Sequence, residues 1–211
     1  MKQLLIIFVK NTKLGKVKTR LAKTIGDEGA LEVYTQLVQI TEKASETIAV
    51  DTIIYFSDTI INTKWKTVPK KVQTGNDLGE RMQNAFRDGF KQGYESIVLI
   101  GSDLPEISKN IILNGFAALE KKETVFGPAE DGGYYLIGMK SLYPMLFENK
   151  PWSKNNLLAI TLQELSRENI GFSLIETLND IDTFEDLIKS EFYKKNKQLQ
   201  EKFSHLIPKK L

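Results

Sequence analysis

The sequence contains no cysteine and a single histidine, His205. Disulfides and thiolate-ligated metals are thereby excluded, and a metal held by this chain would be held by oxygen. Long apolar runs are also lacking. The opening MKQLLIIFVK has an apolar core of six residues and no small-residue cleavage site, and no segment nears the roughly 20 apolar residues of a membrane helix, so the expected location is the cytoplasm. Net charge is nearly absent as well. The 29 basic and 27 acidic residues leave +2, which gives no global field of the kind that marks a nonspecific nucleic-acid or membrane binder. No internal repeat or low-complexity linker is visible.

What is present is enough apolar sequence for one core, 41% of 211 residues, and one domain over residues 1–211 is expected. Residues 190–211 read as a C-terminal helical tail, Lys-rich from Lys194 and solvated. Apolar, β-branched or aromatic runs at Leu4–Val9, Thr52–Phe56, Ile97–Ile100, Thr124–Phe126, Tyr134–Ile137 and Phe172–Ile175 predict strands. Between them lie helical periods: Leu31, Tyr34, Leu37 and Val38; Leu78, Met82, Ala85, Phe86 and Phe90; Ile111, Ile112, Gly115, Phe116 and Leu119. Two more follow at Leu157–Leu165 and Phe184 to about Phe203, and Asp77 with Glu80 reads as a capping box. This alternation predicts an α/β fold, a three-layer α/β/α sandwich on a mainly parallel sheet.

In such sheets ligands sit beyond the carboxyl ends of the strands, so the residues that follow each strand come first. After the first strand, KNTKLGKVKTRL carries Lys10, Lys13, Lys16, Lys18 and Arg20. It is not a P-loop, because Lys10 stands where the first Gly is required and Val17 where the hydroxyl is required. It remains a loop whose cations can reach phosphate oxygens, or a solvated surface loop. After the third strand, GSDLP delivers Asp103, suited to a hard divalent cation and equally to turn chemistry. Further on, NDIDTFEDL offers Asp180 and Asp182 ahead of a helix, as ligands or as an ordinary acidic helix start. Gly132-Gly133 permits close backbone approach or a hairpin turn. Gly75, Asn76 and Arg81 lie at a loop-to-helix junction that favours an anion. Trp152, after Pro151 with a polar flank, is expected in a loop beside an acceptor pocket or at the edge of the core.

Taken in order, Lys-x-Gly-Lys-x-Lys-Thr-Arg-Leu, GNDLGERM, GSDLP, EDGGYYLIG and DIDTFEDL resemble the glycosyltransferase-A-like (GT-A) family of uncharacterised bacterial transferases, over roughly Leu4 to Lys189. That family is similar in turn to the molybdenum-cofactor and phospholactate guanylyltransferases. The resemblance implies a nucleotide-diphospho-sugar transferase fold and a magnesium (or manganese) dependent glycosyltransferase or nucleotidyltransferase acting on a small acceptor. It implies that Lys16 and Arg20 hold phosphates, that Asp103 and Asp182 ligate one metal, and that Gly132 and Gly133 shape the acceptor side. Lys10, Gly15, Gly75, Asn76, Arg81 and Trp152 complete the expected substrate-binding set. The first loop lacks the Gly-Gly pair and Ser typical of guanylyltransferases, so the base and the choice between nucleotidyl and glycosyl transfer stay open.

The expected partners are a nucleotide or nucleotide-sugar donor and a small acceptor, with no nucleic acid and no membrane span. Oligomeric state is not legible. The alternative, a nucleic-acid-binding module gripping with the basic loop, would need aromatics among the cations, and none occurs between Phe8 and Tyr34. A dinucleotide-dependent oxidoreductase would need Gly-x-Gly-x-x-Gly after the first strand, where the chain has Val9-Lys10-Asn11.

Overall fold

The first strand shows how the sheet is made. In β1 (Gln3–Val9), Leu5, Ile7 and Val9 face one hydrophobic cluster while Leu4, Ile6 and Phe8 face another. A strand that is apolar at every position is buried on both faces, and the period of two sorts its side chains between two helix layers. The coordinates, a computed structural model, describe residues 1–207.

Around β1 the chain builds a seven-stranded sheet in the order β3-β2-β1-β4-β6-β5-β7. The strands are β2 (Asp51–Phe56), β3 (Lys70–Val72), β4 (Ser96–Ile100), β5 (Thr124–Pro128), β6 (Tyr134–Met139) and β7 (Phe172–Leu174). β6 runs antiparallel to both neighbours, and every other pairing is parallel. Helices α1 (Thr19–Glu46) and α3 (Lys109–Lys121) cover one face through Tyr34, Val38, Ile112 and Phe116. Helices α2 (Leu78–Lys91) and α4 (Leu157–Arg167) cover the other through Met82, Phe86 and Leu165. The three-layer sandwich on a mainly parallel sheet is thus the observed fold.

Several elements differ from the sequence reading, each for a local reason. β3 escaped it because an exposed edge strand with two lysines carries no apolar alternation. Helix α1 begins well before the Leu31 periodicity, at Thr19, and breaks at Gly26, whose φ of 75° is open to glycine at little cost. The single helix expected from Phe184 to about Phe203 is three short ones, α5 (Phe184–Lys189), α6 (Glu191–Lys194) and α7 (Lys197–Phe203). Ser190 and Asn196 interrupt the run because their side chains cap the helices that follow. The tail's charged face is solvated, but Tyr193, Leu199 and Phe203 are buried with Leu21, Val33 and Leu37 of α1 in a third cluster. Residues 208–211 of the expected tail lie outside the described residues. Among the described residues no helix is long and apolar enough to cross a membrane.

Candidate active site

The carboxyl ends of β1 and β4 lie side by side in parallel register, and the chain leaving them is tied down from three directions. From α1, Tyr34 places its hydroxyl 2.9 Å from the Lys10 amide, which donates to it, and 2.8 Å from Ser102 Oγ. Burial pushes that hydroxyl up to about 12, so it stays protonated. The Asn11 side chain, buried at the start of the basic loop, donates to the Thr59 carbonyl and accepts from the Asp58 amide at 2.9 Å. It thereby staples the exit of β1 to the exit of β2. Gly101 leaves room for the Asp103 carboxylate to fold back, since a Cβ there would lie 2.9 Å from Asp103 Oδ1.

Asp103 lies just past the end of β4, a central strand, as the strand-end rule predicts. Asp180 and Asp182 reach it from the coil before α5. The sequence presented this stretch as the end of a strand, but β7 stops at Leu174 and the two aspartates arrive on irregular backbone. Ile181 between them is fully buried in the third cluster, so both carboxylates turn to the other side. Asp182 is not the helix cap. That role belongs to Thr183, which closes a capping box with Asp186. Asp103, Asp180 and Asp182 each offer an oxygen, all within 4.8 Å of one another.

The cation that meets them is Lys18. Its Nζ donates to Asp103 Oδ2 at 3.0 Å and to Asp182 Oδ1 at 2.9 Å, with the side chain only 5% exposed. Burial alone would lower its pKa, but the two carboxylates outweigh burial and raise it, so Lys18 is charged. In return Asp103, which burial would raise, is held below the ordinary carboxylate range by Lys18. Among the described residues Asp180 has no such partner. Burial, and then the neighbouring Asp103 charge, push it up to about 7. Arg20, largely exposed, stands 3.5 Å from Asp182.

These groups line a cleft of about 310 Å³. Its lining includes the polar and charged Lys10, Ser102, Asp103, Asp180 and Asp182 and the apolar Phe8, Leu78, Met82, Leu99, Ile137 and Trp152. Of the residues singled out from sequence, Lys10, Asp103, Asp180, Asp182, Gly133 and Trp152 line the cleft. Trp152 is half-buried, packed over Gly79 at the start of α2. Gly132 sits behind the lining with φ of 88° and the Asn155 carbonyl where a Cβ would be, so its role in the structure is close backbone packing. Lys16 is exposed and away from the carboxylates, and Gly15 (φ 70°) turns the same loop. Gly75, Asn76 and Arg81 lie outside the lining. Arg81 donates to the Gly75 carbonyl, and Asn76 donates to Glu80. The sequence reading did not single out Tyr34 or Ser102 for the site, passed over Lys18 in favour of Lys16, and ranked Asp180 behind Asp182. The Asp-Ile-Asp alternation was the detectable cue for Asp180, whereas nothing in the sequence set Lys18 apart from the other lysines of its loop.

The fold is shared with solved structures described as a nucleotide-diphospho-sugar transferase and a cytidylyltransferase. A structure from Desulfovibrio desulfuricans G20, provisionally described as a nucleotide-diphospho-sugar transferase, superposes with a TM-score of 0.85 at 29% identity, over 98% of this chain and 97% of that one. A cytidylyltransferase from Leptospira borgpetersenii shares the fold at a TM-score of 0.55 and 18% identity, over 100% of this chain and 98% of that one. In sequence the chain is 25% identical to a 2-phospho-L-lactate guanylyltransferase of Methanocaldococcus vulcanius, over 87% of this chain and 82% of that protein. The chain belongs to the family described as uncharacterized proteins conserved in bacteria (DUF2064), whose pattern matches residues 40–154, just over half of its length.

Proposed function

We propose that the protein is a magnesium-dependent transferase that takes a nucleoside triphosphate or nucleotide sugar as donor and passes a nucleotidyl or glycosyl group to a small acceptor. The observation that carries this reading is the convergence of Asp103, Asp180 and Asp182 with Lys18 at the carboxyl edge of a sheet shared with nucleotidyltransferases. The donor set fits the metal. Three carboxylates without histidine or thiolate suit a hard cation, and magnesium bound to a nucleotide needs only one or two of them. Asp103 and Asp182 are the proposed ligands, with Asp180 as a third carboxylate beside them. When bound, the ion would supply positive charge against the phosphate oxygens of the donor.

The chain's own groups account for the rest. Lys10 lines the cleft and Arg20 stands beside Asp182 at its edge, which suits both to the phosphates of a donor, Lys16 being an exposed cation of the same loop. Both candidate reactions build negative charge on a diphosphate or pyrophosphate leaving group, and fixed cations at that point lower the barrier by electrostatics alone. The apolar lining with Trp152 and Gly133 is left for the uncharged parts of the substrates. The nucleic-acid reading of the basic loop has less support, because Lys13, Lys18 and Arg20 each already face a carboxylate.

A thermal-shift screen of nucleoside di- and triphosphates and nucleotide sugars, each with and without magnesium, tests the proposal. A true donor at a hundred times its dissociation constant adds about 2.7 kcal/mol of stability. This gain should require magnesium and should be lost in Asp103→Asn. No stabilisation by any nucleotide, or equal stabilisation without the metal, would overturn it.

A further inference from the structure

The position of Lys18 is what a phosphate-binding lysine would not need. Its ammonium does not project into the cleft. It is folded back to within 3.0 Å of Asp103 and 2.9 Å of Asp182, the two carboxylates proposed to hold the metal, and only 5% of its side chain is exposed. The backbone bends to put it there. Lys18 lies in the left-handed region at φ 47°, ψ 47°, a conformation that disfavours any residue with a Cβ. A cation bound by these carboxylates at about 2.1 Å would fall in the space the ammonium fills, and two positive charges cannot share it.

Resting on the reading of this cluster as a divalent-metal site, we propose that Lys18 is a built-in counter-cation that guards the site against free metal. It leaves Asp103 and Asp182 far more readily when the arriving metal carries phosphates to receive it. Free metal must expel Lys18 from a buried double ion pair and offers it no new partner. A metal already bound to a nucleotide brings the replacement cation to the carboxylates and the replacement anion to the ammonium in one event. Gly15, at φ 70° within the same loop, gives the segment a turn about which Lys18 can move. The consequence is a site that discriminates the metal–nucleotide complex from the metal alone.

The test uses manganese alone, without nucleotide, titrated against the parent protein, Lys18→Met and the charge control Lys23→Met, with unbound ion counted by electron paramagnetic resonance. Lys23 is exposed on α1, so its removal deletes the same charge without touching the carboxylates. Lys18→Met should bind manganese about tenfold tighter or more than the parent, within the roughly 5–150-fold range usual for coupled sites. Lys23→Met should stay within about twofold of the parent by the same measure, its charge being screened.

An unchanged or weakened affinity in Lys18→Met overturns the inference, as does an equal gain in Lys23→Met. Magnesium with nucleoside triphosphate, titrated in parallel into the parent, separates the two readings. If that complex binds while Lys18→Met fails to gain manganese affinity, only the guarding role falls; if neither the complex nor manganese binds, the metal-site reading falls with it. A second measurement needs no substitution. Amine acylation followed by mass spectrometry should find Lys18 protected in the metal-free protein and several-fold more reactive at saturating manganese, and continued protection with manganese bound overturns the proposal.

Discussion

Replacing Asp180 by asparagine should stabilise the metal-free protein, and only above a definable pH. Asp180 is raised from 3.8 to about 7 by burial and by the charge of Asp103. Between those values the folded state keeps a proton that the unfolded state has released, so stability falls as pH rises across the window and is level on either side. Each pH unit corresponds to about 1.36 kcal/mol, which sets a ceiling of about 4 kcal/mol. The cleft leaves water on the carboxyl, and its titration is coupled to that of Asp103, so a loss of about 2 kcal/mol is expected. A side-chain amide at this position cannot ionise and escapes the loss. Urea unfolding of both proteins with chelator present, at pH 4.5 and pH 8, isolates the effect because groups not coupled to Asp180 cancel in the difference. The variant should gain about 2 kcal/mol on the parent between the two pH values. A gap that does not change with pH, or a variant that loses ground at pH 8, would refute the assignment of Asp180 as the carboxyl that carries the unneutralised charge.

Tyr34→Phe should cost about 1–2 kcal/mol in urea melts, because the Lys10 amide and Ser102 Oγ lose their shared partner at the junction of β1 and β4. Asn11→Ala should cost about 2–3 kcal/mol, since the Asp58 and Thr59 amides both give up their acceptor. Gly132→Ala should cost about 3 kcal/mol, its Cβ landing 1.9 Å from the Asn155 carbonyl oxygen at a φ of 88°. The same change should alter Trp152 fluorescence, as the loop that carries both Trp152 and Asn155 must move.

The sheet was legible because its strands are buried on both sides. Leu4–Val9 and Ile97–Ile100 leave no room for polar positions, and doubly buried strands flanked by helical periods have few other ways to fold. The carboxylate of Asp103 was legible for the same reason, being the first charge after such a strand. Lys18 was not. Lys10, Lys13, Lys16 and Lys18 are one residue type in one loop, and which of them turns inward depends on a left-handed backbone at Lys18 and on partners 85 and 164 positions away. The break-up of the last helix was hidden similarly. Its apolar spacing persists through Leu187, Tyr193 and Leu199, while Ser190 and Asn196 act as caps through side-chain bonds that periodicity does not register.

The third cluster ties the timing of site assembly to protein synthesis. Ile181, Phe184, Leu187, Tyr193, Leu199 and Phe203 seal against Leu21, Val33 and Leu37, and it is this contact that hangs Asp180 and Asp182 beside Asp103. On the ribosome, β1 through β7 emerge before the half of that surface that residues 181–203 supply. A nascent chain can therefore own all seven strands, with Asp103 just past the end of β4, while the other two carboxylates are still inside the exit tunnel. The three-carboxylate cluster is completed only once a segment that contributes no strand has folded back onto the first helix.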